Sequence, residues 1–300
     1  MKLEGVIAAL TTPFREDGSV DRARLRDNVE KYNRTALAGY VAVGSTGEAA
    51  LLSSEEAELV WATVLEHSAP GKTVIAGTGA ESTAETIART RRAAELGYRA
   101  ALVRTPSYYK PLLNSEVLFE HYRRVADASP IPILIYSIPQ FTGVTVEPEV
   151  AARLAEHENI IGIKDSSGIV ERVAETVRLA PKRFTVLVGS AATLVESLRA
   201  GARGGILALA SPLPDWCARV YSLYASGDVT GAEILQDKLK PASKKIGSEL
   251  GIPAMKYAMD QAGYYGGSPR PPLLPLSVER RREVDAILAT LQASAPAALQ

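Results

Sequence analysis

Short apolar runs recur along the chain, each ending in small or polar residues: GVIAAL (5–10), YVAVG (40–44), TVIAG (73–77), AALVRTP (100–106), IPILIYSIP (131–139), IIGIKD (160–165), FTVLVG (184–189) and GGILALA (204–210). Runs this short, without strict alternation, suit parallel strands covered on both faces. The segments between them carry helical periodicity and helix punctuation. Ser53 with Glu56 and Ser82 with Glu85 have capping-box spacing at helix starts. Pro148 sits where a first helical turn tolerates proline, and Gly97 and Gly201 follow helices where a left-handed cap favours glycine.

Eight repeats of strand then helix predict an α/β fold, a (β/α)8 TIM barrel over residues 1–225. A doubly wound sheet is the competing topology, but it calls for a Gly-rich phosphate turn after the first strand, and TTPFREDG (11–18) is not one. Residues 226–300 read as a C-terminal helical extension: TGAEILQDKLKPASKKIG (230–247) and VERRREVDAILATLQ (278–292) are helical, and YYGGSPRPPLLP (264–275) is a loop. The final ASAPAALQ (293–300) is expected to fray.

Composition narrows the function classes. Thirty-four basic residues balance thirty-four acidic ones, so nothing steers the chain to nucleic acid or a membrane surface. The one cysteine, Cys217, excludes an intramolecular disulfide, and its setting PDWCARVY reads as a buried helix face. His67, His121 and His157 fall in or beside helices without ligand spacing, so neither metal chemistry nor Ser-His hydrolysis is expected. The opening apolar stretch is short and is broken by Pro13, which suits a strand rather than a signal peptide. A cytoplasmic location is the expectation.

In such a barrel the chemistry lies at the C-terminal ends of the strands. Those ends are rich in glycine, hydroxyls and phenols, and they carry one lysine, Lys164, inside the run NIIGIKDSSG (159–168). Burying an unpaired ammonium depresses its pKa by up to ~3–5 units, roughly 4–7 kcal/mol, so a structural role there is expensive. A lysine facing the barrel axis, with Gly162 below it on the same side and Ile161 and Ile163 turned toward the helices, is set up to attack a ketone and form a Schiff base. The alternative is a structural ion pair with Asp165 or with a carboxylate from another strand, but Asp165, the next residue, points to the opposite face of the strand. Tyr136, one strand earlier, is a candidate proton shuttle. The GSTGE loop (44–48), with backbone N–H groups around Gly47 and the hydroxyls of Ser45 and Thr46, is suited to a carboxylate.

The motifs GSTGE, TPSYYKP, YSIPQFTG, GIKDSSG and GSAATL stand in an order and spacing that resembles the dihydrodipicolinate synthase/N-acetylneuraminate lyase superfamily over nearly the whole chain. The resemblance implies a class I, pyruvate-dependent aldolase in which Lys164 forms the Schiff base with pyruvate or another 2-oxo acid. It implies that Ser45 and Thr46 bind the 2-oxo acid's carboxylate. Tyr136 would relay protons through Ser45 to Tyr108 reaching in from a neighbouring subunit, with Gly189 and Ile206 lining the pocket. It further implies a homotetramer built as a dimer of dimers, and no metal or organic cofactor.

Within the superfamily, dihydrodipicolinate synthases carry an arginine two residues after the proline of their Y-N-x-P motif, where it holds the aldehyde's carboxylate. Here that position is Phe141, and a phenyl ring cannot replace a bidentate guanidinium. The expectation is therefore cleavage of a 4-hydroxy-2-oxo acid, such as 4-hydroxy-2-oxoglutarate or a 2-oxo-3-deoxy sugar acid, to pyruvate and an aldehyde. The alternatives are 4-hydroxy-tetrahydrodipicolinate synthase, a sugar-acid dehydratase using the same lysine, and a 2-oxo acid sensor without turnover.

Overall fold

The computed structural model describes residues 3–295. Eight parallel strands close into one ring: β1 (Gly5–Ala9), β2 (Gly39–Ala42), β3 (Thr73–Gly77), β4 (Ala101–Arg104), β5 (Ile133–Ser137), β6 (Ile160–Asp165), β7 (Thr185–Val188) and β8 (Gly204–Leu207), with β8 paired back to β1. A helix follows each strand, at Arg22–Asn33, Ser54–His67, Thr83–Leu96, Ser115–Ala128, Pro148–Leu154, Val170–Leu179, Leu194–Arg199 and Pro214–Ala225. The ladders are shorter than the apolar runs at β4, β5 and β8, because the flanking residues leave the sheet to build the rim loops; Pro106, Pro132 and Pro139 have no N–H to give a ladder.

Local signals act as expected. Ser53 and Glu56 form a reciprocal capping box, Ser82 accepts from the Glu85 N–H, and Gly97 caps its helix in the left-handed region. Cys217 is buried on the helix Pro214–Ala225, and burial pushes its thiol up to about 12, far from a nucleophile's range.

Apolar side chains separate into two layers across the sheet. Ile7, Val41, Ile75, Leu102, Leu134, Leu187 and Ile206 fill the barrel, while Ala8, Tyr40, Val103, Ile135, Ile163 and Val186 pack against the helices. One assignment needs correction. Ile161 joins the interior cluster, not the helix-facing one, because β6 shifts register against β5 between Ile133 and Leu134: Ile133 pairs with Ile160, and Leu134 with Gly162. The extra residue lets Ile160 and Ile163 both face outward. Gly162 also has a different reason. A Cβ there would stand 2.4 Å from the Thr185 carbonyl oxygen, so the glycine admits the neighbouring backbone of β7.

After the barrel come the helices Val229–Ala242, Gly251–Gln261 and Val278–Ala293. The first passes into a π-helical turn, Ser243–Glu249, immediately after Pro241, whose missing N–H and ring disturb the α-helical ladder. The last helix persists through Ala293, and residues 296–300 of the stretch expected to fray lie outside the described residues. Among the described residues no helix is long and apolar enough to cross a membrane.

His121 is buried on the helix Ser115–Ala128, with Nδ1 2.9 Å from Thr83 Oγ1 and, among the described residues, no hydrogen-bond partner for Nε2. Burial, helped by the nearby Arg104 charge, pushes its pKa down to about 4 from 6.5. The unfolded chain therefore binds more protons than the folded one between those two values. Stability should fall by about 3 kcal/mol as pH drops across this window. Denaturant melts of the wild type and His121→Leu from pH 7 to pH 4 check this: the variant should lose that part of the slope.

Candidate active site

Neighbouring strands place the two central groups in register, Tyr136 on β5 paired with Lys164 on β6. Both side chains point inward and are buried, and the Lys164 Nζ stands 4.0 Å from the centre of the Tyr136 ring. Among the described residues Lys164 has no carboxylate partner in ion-pair reach. Asp165 faces the other way: its Oδ1 accepts from the Ser167 N–H at 2.7 Å, and its Oδ2 lies 4.0 Å from Arg172 Nε. The ion-pair explanation for Lys164 therefore fails on geometry.

Above the lysine, a cavity of about 490 Å³ is lined by Ser45, Thr46, Tyr136, Phe141, Lys164 and Gly189, which rim loops bring together from four different strands. Ser45–Gly47 forms one tight 3-10 turn, closed by N–H bonds from Gly47 and Ala49 to the Gly44 carbonyl. Glu48 follows in the left-handed region with φ of 57°, and its carboxylate turns away from the cavity to Lys256 Nζ at 2.6 Å. Gly189 is required by its neighbour: a Cβ there would fall 1.8 Å from Ser166 Oγ. The missing side chain makes the notch in which Ser166 sits, facing the cavity beside Lys164.

Gly47 and Ile206 lie elsewhere than expected, and Tyr108, expected to serve a neighbouring subunit, stands outside the cavity of its own chain. Gly47 does not line the cavity; it is buried, and its carbonyl accepts from Thr12 Oγ1 at 2.7 Å, tying the turn to the loop that follows β1. Ile206 is fully buried among the barrel's interior side chains, and Ala208 and Leu209 take the lining positions further along. The chain continues past the end of β8 at Leu207, so residues two and three positions after Ile206 reach the rim. Tyr108 is 78 % exposed, with its ring edge-on to Tyr109 at 5.0 Å. A relay from Tyr136 to Tyr108 is therefore not assembled within one chain.

The Tyr108 loop is nonetheless held firmly. Glu81 accepts from the N–H groups of Ser107 and Tyr108, from Ser107 Oγ and from Arg104 Nη1, all within 3.0 Å. Partial burial works against this carboxylate, but those donors together hold it down to about 2. Arg104 is thus committed to Glu81.

Ser166, Ser167 and Ser190, together with Ser243, Ser248 and Met255 from the C-terminal helices, also line the cavity, although the sequence points to no role for them. Adjacency to Lys164 could have flagged Ser166 and Ser167. Nothing in the local sequence around Ser243 and Ser248 marks them, because only the docking of the C-terminal helices brings them over the barrel mouth. Among the described residues, Lys164 is the one cation lining this cavity.

The model of the dihydrodipicolinate synthetase family matches residues 2–291. The chain is 39 % identical over 285 residues to the 4-hydroxy-tetrahydrodipicolinate synthase of Methanothrix thermoacetophila, covering 95 % of each chain, and equally identical over the same span to that of Stenotrophomonas maltophilia. The crystal structure of the chloride-inhibited dihydrodipicolinate synthase from Acinetobacter baumannii, complexed with pyruvate, superposes with a TM-score of 0.92 at 34 % identity, covering 97 % of this chain and 99 % of that one.

The Gly189 notch is testable. Gly189→Ala should displace Ser166 and lower kcat/KM by about 10-fold to 100-fold, since misplacement near 1 Å has that effect. Adding Ser166→Gly should recover much of the lost thermal stability by removing the clashing atoms. Thermal melts alongside steady-state kinetics of the single and double variants check both halves.

Proposed function

The chain belongs to the dihydrodipicolinate synthetase family, and from that premise we propose that it is a class I enzyme that carries pyruvate as an imine on Lys164 and makes or breaks a carbon–carbon bond at the pyruvate methyl carbon. The observation that carries this reading is the buried Lys164 amine, unpaired by any carboxylate among the described residues, opening into the cavity beside the Tyr136 ring.

Attack of the Lys164 nitrogen on C2 of pyruvate gives a carbinolamine, and a proton delivered to its hydroxyl lets that oxygen leave as water, giving a protonated imine. Removal of a C3 proton moves its electron pair into the C2–C3 bond, neutralising the imine as an enamine. Enamine C3 then attacks an aldehyde carbon, and the new alkoxide takes a proton. Tyr136, beside the amine, is the group proposed to move these protons, and the Ser45–Thr46 turn is proposed to receive the substrate carboxylate. Run backwards, the same steps cleave a 4-hydroxy-2-oxo acid: Tyr136 takes the C4 hydroxyl proton as the C3–C4 bond breaks. We further propose that a second copy of the chain supplies Tyr108, within a homotetramer.

For the aldehyde, the named relatives support condensation with aspartate semialdehyde, the 4-hydroxy-tetrahydrodipicolinate synthase reaction, over the cleavage expected from the sequence. One specific observation favours cleavage as the second reading. Phe141 is 60 % exposed at the cavity mouth, and among the described residues no cation besides Lys164 lines the cavity to receive a distal carboxylate.

Borohydride reduction with pyruvate, followed by peptide mass spectrometry, should place the adduct on Lys164; a folded protein with no adduct there refutes the imine. Coupled assays with aspartate semialdehyde and with 4-hydroxy-2-oxo acids bearing charged and neutral tails then separate the two readings. Phe141→Arg should improve kcat/KM for substrates with a distal carboxylate by about ten-fold or more, the worth of hydrogen bonds to a charged group. Unchanged relative kcat/KM across charged and neutral tails would remove Phe141 from the aldehyde's path.

A further inference from the structure

We infer that the buried Glu48–Lys256 ion pair is a positioning device: it couples the C-terminal helix Gly251–Gln261 to the Ser45–Thr46 turn and holds that turn in the shape that receives a 2-oxo acid's carboxylate. The inference rests on the pyruvate–imine reading of the cavity and goes beyond it, because neither residue of the pair lines the cavity.

Three observations converge. Among the described residues only two that are not glycine have positive φ, Val43 at 60° and Glu48 at 57°, and they bracket Gly44–Gly47. A β-branched valine in the left-handed region is strained, and such strain persists only where surrounding structure over-determines it. Glu48 supplies that determination. Its side chain and that of Lys256 are both fully buried, with Oε1 2.6 Å from Lys256 Nζ and Oε2 accepting from the Arg270 N–H at 2.7 Å.

The cation has further partners. Lys256 Nζ donates to the Ser268 carbonyl at 2.9 Å and lies 4.4 Å from the centre of the Phe14 ring. Arg270, from the strap after the helix, bonds both carboxylate oxygens of Glu56 and the Leu51 carbonyl. The backbone leaving the turn is therefore tied to the C-terminal region at Glu48, Leu51 and Glu56.

The third observation is the helix itself. Gly251, Ile252 and Met255 line the cavity, and the next residue is Lys256. One rigid element thus both covers the cavity and grips the turn. Burying two charges brings little stability over an apolar pair of similar volume, so their value here lies in specifying one loop geometry.

The test measures the pyruvate concentration that half-saturates borohydride trapping on Lys164, together with the thermal midpoint, in the wild type, in Lys256→Met and in the double variant Glu48→Gln/Lys256→Met. Lys256→Met leaves Glu48 charged and buried, so it should melt well below the double variant. Both should need about ten-fold more pyruvate, or beyond, because the turn has lost its anchor. A double variant that melts near the wild type and half-saturates at the wild-type concentration overturns the inference. Should the double variant not fold, Glu48→Asp carries the same two outcomes, keeping the charge on an arm one methylene shorter. A wild-type protein that gives no adduct overturns the imine reading and this inference with it, whereas trapping that is unchanged in the variants overturns this inference alone.

Discussion

Closure of eight parallel strands into a ring is the constraint on which the rest depends. With every strand paired on both sides, no strand can rotate to hide or expose a residue, and each side chain is committed either to the axis or to the helices. On β6 that commitment puts Lys164 on the axis and Asp165 outside, next to Arg172. On β5 it puts Tyr136 level with the lysine. The pairing of an amine with a phenol is thus a consequence of strand register, and the rim loops supply hydroxyls around it.

Among the described residues two lysines are buried, Lys164 and Lys256, and their surroundings separate their uses. Lys256 meets a carboxylate, a carbonyl and an aromatic face; burial presses its pKa down while Glu48 works to keep it protonated. Lys164 has the Tyr136 ring and an open cavity. The first arrangement is what a structural ammonium needs, and the second leaves a nitrogen free to react. Sequence alone draws attention only to Lys164, because a polar residue inside a strand's apolar run is conspicuous. Lys256 lies in an amphipathic helix, where a lysine usually marks the solvent face.

Much of the site was legible because barrel chemistry concentrates at strand ends, and Ser45, Thr46, Tyr136, Lys164 and Gly189 all stand there and line one cavity. Legibility failed where a conclusion needed more than strand periodicity. The shift in β6 turned Ile161 inward, and one extra residue in a ladder leaves no mark on hydrophobicity. Gly162 reads as space for a lysine stem, but the strain it avoids is against the Thr185 carbonyl of a strand more than twenty residues away. Ile206 belongs to the packed interior because the rim lies further along the chain, at Ala208 and Leu209. Ser243 and Ser248 reach the cavity through a π-helical turn whose position follows from Pro241 and from the docking of the C-terminal helices.

By itself the sequence determined the alternation of eight strands with helices, the inward lysine and the phenol beside it. These follow from short-range rules: strand periodicity, caps, and the cost of burying an unpaired charge. Only the tertiary structure decided which residues complete the cavity and what holds the strained Val43–Glu48 segment. Those answers depend on chain segments some two hundred residues apart meeting in space, as Glu48 meets Lys256 and Arg270, and no local pattern encodes the distance between them.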